Sequence, residues 1–193
     1  GIDGLGMAEV FPGLLGVTDV ATADLNADNV LDIVLLSGKE GVVATCHFEG
    51  GRITFPETIL KKPEGSELAA VDVLQSGQRV QIVVALTTGT GSSMKLSFQR
   101  LVRNESGDWR AVKDEPKIEL TGAVGSRGLR FVRMDVNSDG RTDLLSVPTG
   151  TSKSGVQILL QNEDGSLQVV QEKSRLDLGA SAAGRTFVSG NRL

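Results

Sequence analysis

Twice in this chain, four acidic or amide side chains fall within nine residues at the same spacing. The first segment is Asp24-Leu25-Asn26-Ala27-Asp28-Asn29-Val30-Leu31-Asp32, and the second is Asp135-Val136-Asn137-Ser138-Asp139-Gly140-Arg141-Thr142-Asp143. Both read Asp-x-Asn-x-Asp-x-x-x-Asp, and both run directly into an apolar stretch, Ile33-Val34-Leu35-Leu36 and Leu144-Leu145-Ser146-Val147. Crowding carboxylates in this way is costly unless positive charge sits among them. Ca²⁺ is the natural candidate, because it takes six to eight oxygens from carboxylates, amides, backbone carbonyls and water. Neighbouring side chains point apart, so a loop wrapped around a cation draws its ligands from alternate positions. Positions one, three and five supply Asp24, Asn26 and Asp28, or Asp135, Asn137 and Asp139. Position seven, Val30 or Arg141, offers its backbone carbonyl and leaves its side chain free. Position nine, Asp32 or Asp143, closes the loop and is able to bind through two oxygens. Position six must turn sharply in the left-handed region, which Gly140 does without cost and Asn29 does next best.

Helix-flanked calcium loops begin in a similar way but place their last acid at position twelve. Position twelve here is Leu35 or Ser146, and the last acid comes at position nine before a strand-like run. Asn and Asp also favour turns in their own right. That simpler reading accounts for one such loop, but two near-copies followed by the same kind of strand strain it.

The rest of the chain supplies the scaffold. With 193 residues, 39% of them hydrophobic, it is long enough to bury a core. A net charge of −4 with no basic block argues against nucleic acid as a partner. No apolar run approaches the ~18–20 residues that a membrane span requires. Cys46 is the only cysteine, which excludes an internal disulfide. His47 is the only histidine and Tyr is absent, so no Ser/His/Asp set can be assembled, and no zinc-ligand spacing exists. The 24 glycines are scattered among Val, Thr, Ser and Leu and read as tight turns between short strands. Only Ser174–Gly184 is expected to be partly helical.

The strands repeat. A degenerate copy of the loop region lies at 71–84, keeping a leading Asp72, a turn at Gly77 and a trailing apolar run. Asp72 follows Asp24 by 48 residues and precedes Asp135 by 63. Each unit reads as strand, loop, strand, Gly/Ser/Thr-rich connection, strand, turn, strand. The first strands are expected at Val17–Ala23, Leu68–Val73 and Leu129–Met134, and the second at Asp32–Leu36, Gln81–Leu86 and Thr142–Val147. Third strands follow at Val42–Phe48, Met94–Val102 and Val156–Leu160, and fourth strands at Arg52–Thr58, Trp109–Val112 and Leu167–Gln171. Four antiparallel strands per repeat predict an all-β chain, a β-propeller segment of about three blades at roughly 15–60, 66–120 and 127–175. The start of a fourth blade is expected at 182–193.

On the two acidic loops, the trailing Asp32-Ile-Val-Leu-Leu36 and Asp143-Leu-Leu-Ser-Val147 runs and the Gly-rich connections after them, the chain resembles the FG-GAP repeats, also called VCBS repeats. These repeats occur in integrin α-subunit propellers and many secreted bacterial proteins. The resemblance covers roughly residues 15–175 and implies two structural Ca²⁺ ions. It also implies an extracytoplasmic setting, and a non-catalytic role in binding a protein or glycan or in an accessory subunit. The family completes its ring with about six to eight blades, so the ring here is expected to be closed by further blades, another chain or oligomerisation. The alternative is a piece of a propeller-type lyase or hydrolase whose chemistry lies in other blades.

Other motifs are weaker. Thr88–Lys95 superficially matches a phosphate loop but lacks its spacing and occupies the place of a strand connection. Cys46 and His47 are adjacent on one strand and point to opposite faces, one packed and one at the surface. Trp109 is expected to pack at a blade edge. Asn104-Glu105-Ser106 fits a glycosylation sequon in an exposed turn.

Overall fold

The computed structural model describes residues 13–76, 79–90, 94–113, 128–149 and 156–170. The stretch expected to be partly helical (174–184) and the expected partial unit at 182–193 lie outside these residues. Every regular element described is a β-strand. In chain order they are β1 (Val17–Ala23), β2 (Asp32–Ser37), β3 (Val42–Cys46), β4 (Phe48–Glu49), β5 (Arg52–Ile53), β6 (Glu57–Lys61) and β7 (Ser66–Ser76). Then come β8 (Arg79–Thr88), β9 (Lys95–Arg103), β10 (Trp109–Ala111), β11 (Leu129–Met134), β12 (Asp143–Pro148), β13 (Gln157–Gln161) and β14 (Leu167–Val169).

These strands form three four-stranded antiparallel sheets, ordered β1-β2-β3-β6, β7-β8-β9-β10 and β11-β12-β13-β14, together with the small β4-β5 hairpin. Each large sheet keeps its strands in chain order, and none closes on itself. The first sheet departs from the expected pattern at its fourth strand. Rather than one strand over 52–58, the chain makes the local β4-β5 hairpin, in which Phe48 pairs with Ile53 and Glu49 with Arg52. It then rejoins the sheet as β6, with Val43 facing Leu60 and Thr45 facing Glu57. Gly50 and Gly51 both sit at positive φ (58° and 79°) and make the tight hairpin possible. Pro56 lacks an N–H to donate to a ladder, so a break falls naturally just before β6.

The sheets stack face to face, and side-chain alternation assigns each face its core. On β8, Ile82, Val84 and Leu86 pack toward the first sheet with Val34, Leu36 and Val43. Val83 and Ala85 point the other way, to Leu144 and Leu159 of the third sheet. The middle sheet is therefore buried on both faces, and its strands read as nearly continuous apolar runs rather than an alternation of apolar and polar. Each fully buried Leu or Val contributes about 1.5–3 kcal/mol relative to exposure.

The first strands β1, β7 and β11 lie beside one another, and two polar links join them. Asp19 Oδ2 accepts the Val71 N–H at 2.9 Å, tying the first sheet to the second. Arg133 Nε stands 3.3 Å from Asp72 Oδ1, tying the third sheet to the second. Burial pushes the Asp72 carboxyl up, against the opposing pull of the Val73 N–H and the Arg133 charge.

Candidate metal loops

Each acidic loop joins the first and second strands of its sheet, β1 to β2 and β11 to β12. The strands clamp the loop ends in register: Ala23 faces Asp32, and Met134 faces Asp143. Eight residues are thus free to loop in each case, 24–31 and 135–142.

Within them the same hydrogen bonds recur residue for residue. The position-five N–H is shared by the carboxylate of position one and the amide oxygen of position three, at 3.2 and 3.1 Å for Asp28 and at 3.1 and 3.1 Å for Asp139. The position-six N–H donates to the other oxygen of position one, Asn29 to Asp24 at 2.8 Å and Gly140 to Asp135 at 2.9 Å. The position-seven N–H donates to the position-five carboxylate, Val30 to Asp28 at 2.7 Å and Arg141 to Asp139 at 2.9 Å. The position-three amide donates to the same carboxylate, Asn26 to Asp28 at 2.9 Å and Asn137 to Asp139 at 2.8 Å. The backbone repeats as well. Asn29 and Gly140 hold the left-handed φ required at position six (64° and 82°). Position four is also left-handed, at Ala27 (63°) and Ser138 (59°), which the spacing did not reveal. A non-glycine residue there costs about 1–2 kcal/mol, so the bonds around it must hold it in place.

The closing acid is wholly buried in both loops. One of its oxygens accepts the position-two N–H at 2.9 Å, Leu25 to Asp32 Oδ2 and Val136 to Asp143 Oδ2. The second oxygen is used differently. Asp143 Oδ1 accepts the Gln161 N–H at 2.8 Å. Asp32 Oδ1 instead faces His47 Nδ1 at 3.0 Å, in a contact too poorly aligned to be a hydrogen bond, and neither atom has another partner. The difference originates one strand away. Leu144 faces Leu159 and Ile33 faces Cys46, so the counterpart of Gln161 is Phe48, which has already left the sheet for the β4-β5 hairpin and gives Asp32 Oδ1 no hydrogen bond. Strand register makes this pairing intelligible: Ile33 faces Cys46, which sets Asp32 across from His47. His47 therefore does have an acidic neighbour, on the adjacent strand rather than its own. Cys46 is the packed member of the pair, and burial pushes its thiol up.

At position seven, Val30 is exposed, as a side chain outside the ligand set should be. Arg141 is engaged. Its Nη2 pairs with Asp139 Oδ2, and its Nε donates to the Gln161 carbonyl at 2.9 Å. The Asp139 carboxyl lies below its ordinary range chiefly through the Arg141 N–H, with the guanidinium adding to it. Partial desolvation would raise the Asp24 carboxyl, but the N–H groups of Asn29, Asp28, Ala27 and Asn26 together hold it below the ordinary 3.8. Both loops thereby favour the folded state above that range and lose this contribution as the pH falls through the lowered values.

The middle unit has no equivalent loop. On β7-β8 Gln81 faces Leu74, and the ladder continues to Ser76 facing Arg79. Only six residues (75–80) separate Leu74 from Gln81. By register Gln81 takes the place of the closing acid and Gln75 that of the leading acid. Asp72 lies three residues further back, inside the strand, so it is not the counterpart of Asp24. Two residues too few remain to wrap an ion, and Gln81 spends its amide oxygen on Arg100 Nη1 at 3.0 Å.

As donor sets, the two loops fit a hard cation. Positions one, three and five supply carboxylate and amide oxygens, of which Asp139 Oδ2 already accepts two donors, Asn137 Nδ2 and Arg141 Nη2. Among the described residues, no three His, Cys, Asp or Glu side chains stand together as a group able to hold a metal. The side-chain oxygens turn instead onto the loops' own N–H groups. No helix among the described residues is long and apolar enough to cross a membrane. The chain matches no protein-family model and no curated protein.

Proposed function

We propose that the chain is a non-catalytic, calcium-stabilised β-propeller segment of the FG-GAP or VCBS type, with each acidic loop taking one Ca²⁺. The supporting observation is that two loops sharing only their acid and amide positions adopt one hydrogen-bond network and one pair of left-handed residues. Asp24, Asn26 and Asp28, and Asp135, Asn137 and Asp139, would hold the ions. The carbonyls of Val30 and Arg141 would help, and Asp32 and Asp143 would close the loops. The bound ion turns carboxylate repulsion into a cross-link at the hairpin end. The stacked sheets would form successive blades, with β1, β7 and β11 toward the ring axis. Ring closure would come from further blades or another chain. Extracellular calcium modules bind at about 10⁻⁴–10⁻³ M, which suits an extracytoplasmic setting and a role in presenting loops to a protein or glycan partner.

Calorimetry tests the proposal. At roughly 10 mM Ca²⁺ and a dissociation constant near 1 mM, one site adds about 1.4 kcal/mol, a rise of about 3–6 °C in Tm for a chain of this size. The rise should vanish on chelation and in the double variant Asp28→Ala plus Asp139→Ala. A melting curve unmoved by Ca²⁺ overturns the proposal.

A further inference from the structure

A concavity of about 590 Å³ opens where the first acidic loop meets β8, β9 and the turn before β14. Its charge runs against that of the molecule. Three guanidinium groups, Arg79, Arg100 and Arg103, line it against one carboxylate, Asp164, in a chain of net charge −4. Asp164 accepts the Ser166 N–H at 2.8 Å and its hydroxyl at 2.6 Å and keeps its negative charge beside Arg100, which leaves Arg79 and Arg103 as the excess positive charge. Arg100 Nη1 bonds Gln81 Oε1 at 3.0 Å and the Gly165 carbonyl, which fixes its charge in the wall. Arg103 lies over the Trp109 ring, 5.0 Å from its centroid, so its guanidinium is positioned before any ligand arrives. Neither Arg79 nor Arg103 forms an ion pair among the described residues.

Guanidinium groups converging on a small concavity, two of them (Arg100 and Arg103) held in place by the protein, recognise a planar oxyanion through paired N–H donors, and the volume falls within the usual range for small ligands. The amides of Asn26 and Gln81 share the walls with the apolar Val80 and Val102, a mixture suited to hydroxyls and to the C–H face of a sugar ring. A peptide is disfavoured because β8 and β9 are the inner strands of their sheet, so the cleft presents no open strand edge for a peptide backbone to pair with. We propose that this cleft binds an acidic saccharide, with Arg79 and Arg103 gripping a uronic-acid carboxylate and Arg100 supplying fixed positive charge behind them.

None of the three arginines belongs to a calcium loop, so the test uses metal-stripped protein in calcium-free buffer. Trigalacturonic acid, maltotriose and hexaglutamate are titrated by calorimetry. Trigalacturonic acid should bind, more weakly as salt is raised, and maltotriose should not. Losing one charge-assisted contact should weaken binding roughly tenfold in Arg79→Gln and in Arg103→Gln. Arg110→Gln, whose side chain pairs with Asp108 away from the cleft, should leave binding unchanged. Absence of binding, equal binding of maltotriose, tighter binding of hexaglutamate, or full affinity in both cleft variants would overturn the assignment.

Discussion

The two acidic loops have the same backbone and the same internal bonds, yet they manage their charge differently. The second carries its own cation, because Arg141 folds back onto Asp139. The first has Val30 at that place, so among the described residues no ion pair reaches the half-buried Asp24 or the exposed Asp28. Their anchors differ too: a backbone N–H secures Asp143, whereas a half-exposed imidazole stands beside Asp32. Loop shape is thus fixed by the Asp/Asn spacing and the left-handed turns, while charge compensation is decided by the single residue at position seven. A loop that neutralises itself holds its form without help but has less to offer an incoming ion.

Three experiments would break or sharpen this contrast. The largest effect belongs to the buried anchors, measured by urea denaturation with a chelator present so that metal plays no part. Asp143→Ala leaves two backbone N–H groups without acceptors and should cost about 3 kcal/mol. Asp32→Ala strands one N–H and should cost about 2 kcal/mol; a larger loss at Asp32 would mean that the imidazole is the stronger anchor. Next comes Arg141→Val, which gives the second loop the position-seven residue of the first. Calcium affinity there should rise roughly tenfold, equivalent to ~1.4 kcal/mol, while metal-free stability falls by about 0.5 kcal/mol with the lost ion pair. Unchanged calcium affinity would show that the guanidinium does not compete for the loop. The smallest effect is backbone relief. Ala27→Gly and Ser138→Gly remove a left-handed penalty and return part of it as unfolded-chain entropy. Each should gain a few tenths to about 1 kcal/mol by thermal melts, and equally in both loops if the loops are as alike as their φ angles.

Much of the scaffold was legible from pattern alone. Alternation and turn residues located β1 and β11 to the residue and the other long strands to within a few residues. Turn-forming Gly and Asn, together with the Asp spacing, identified the two hairpin loops. What escaped depended on neighbours in space. Nothing local ties His47 to Asp32, because their contact exists only through the β2-β3 register. The Arg141 side chain looked free because its acceptor, the Gln161 carbonyl, lies 20 residues away. Asp72 was aligned with Asp24 by residue identity, whereas strand pairing shows a loop two residues shorter; counting from the apolar run that begins at Ile82 would have found it. The β4-β5 detour was announced by Gly50-Gly51 and Pro56, but the same residues also suit a plain turn.

With apolar side chains leaving both faces of β8, the middle sheet has no wet side of its own. Peeling away either flanking sheet would bare an oily plane that water cannot satisfy. The three sheets are therefore bound to melt together, as one cooperative block rather than as beads on a string.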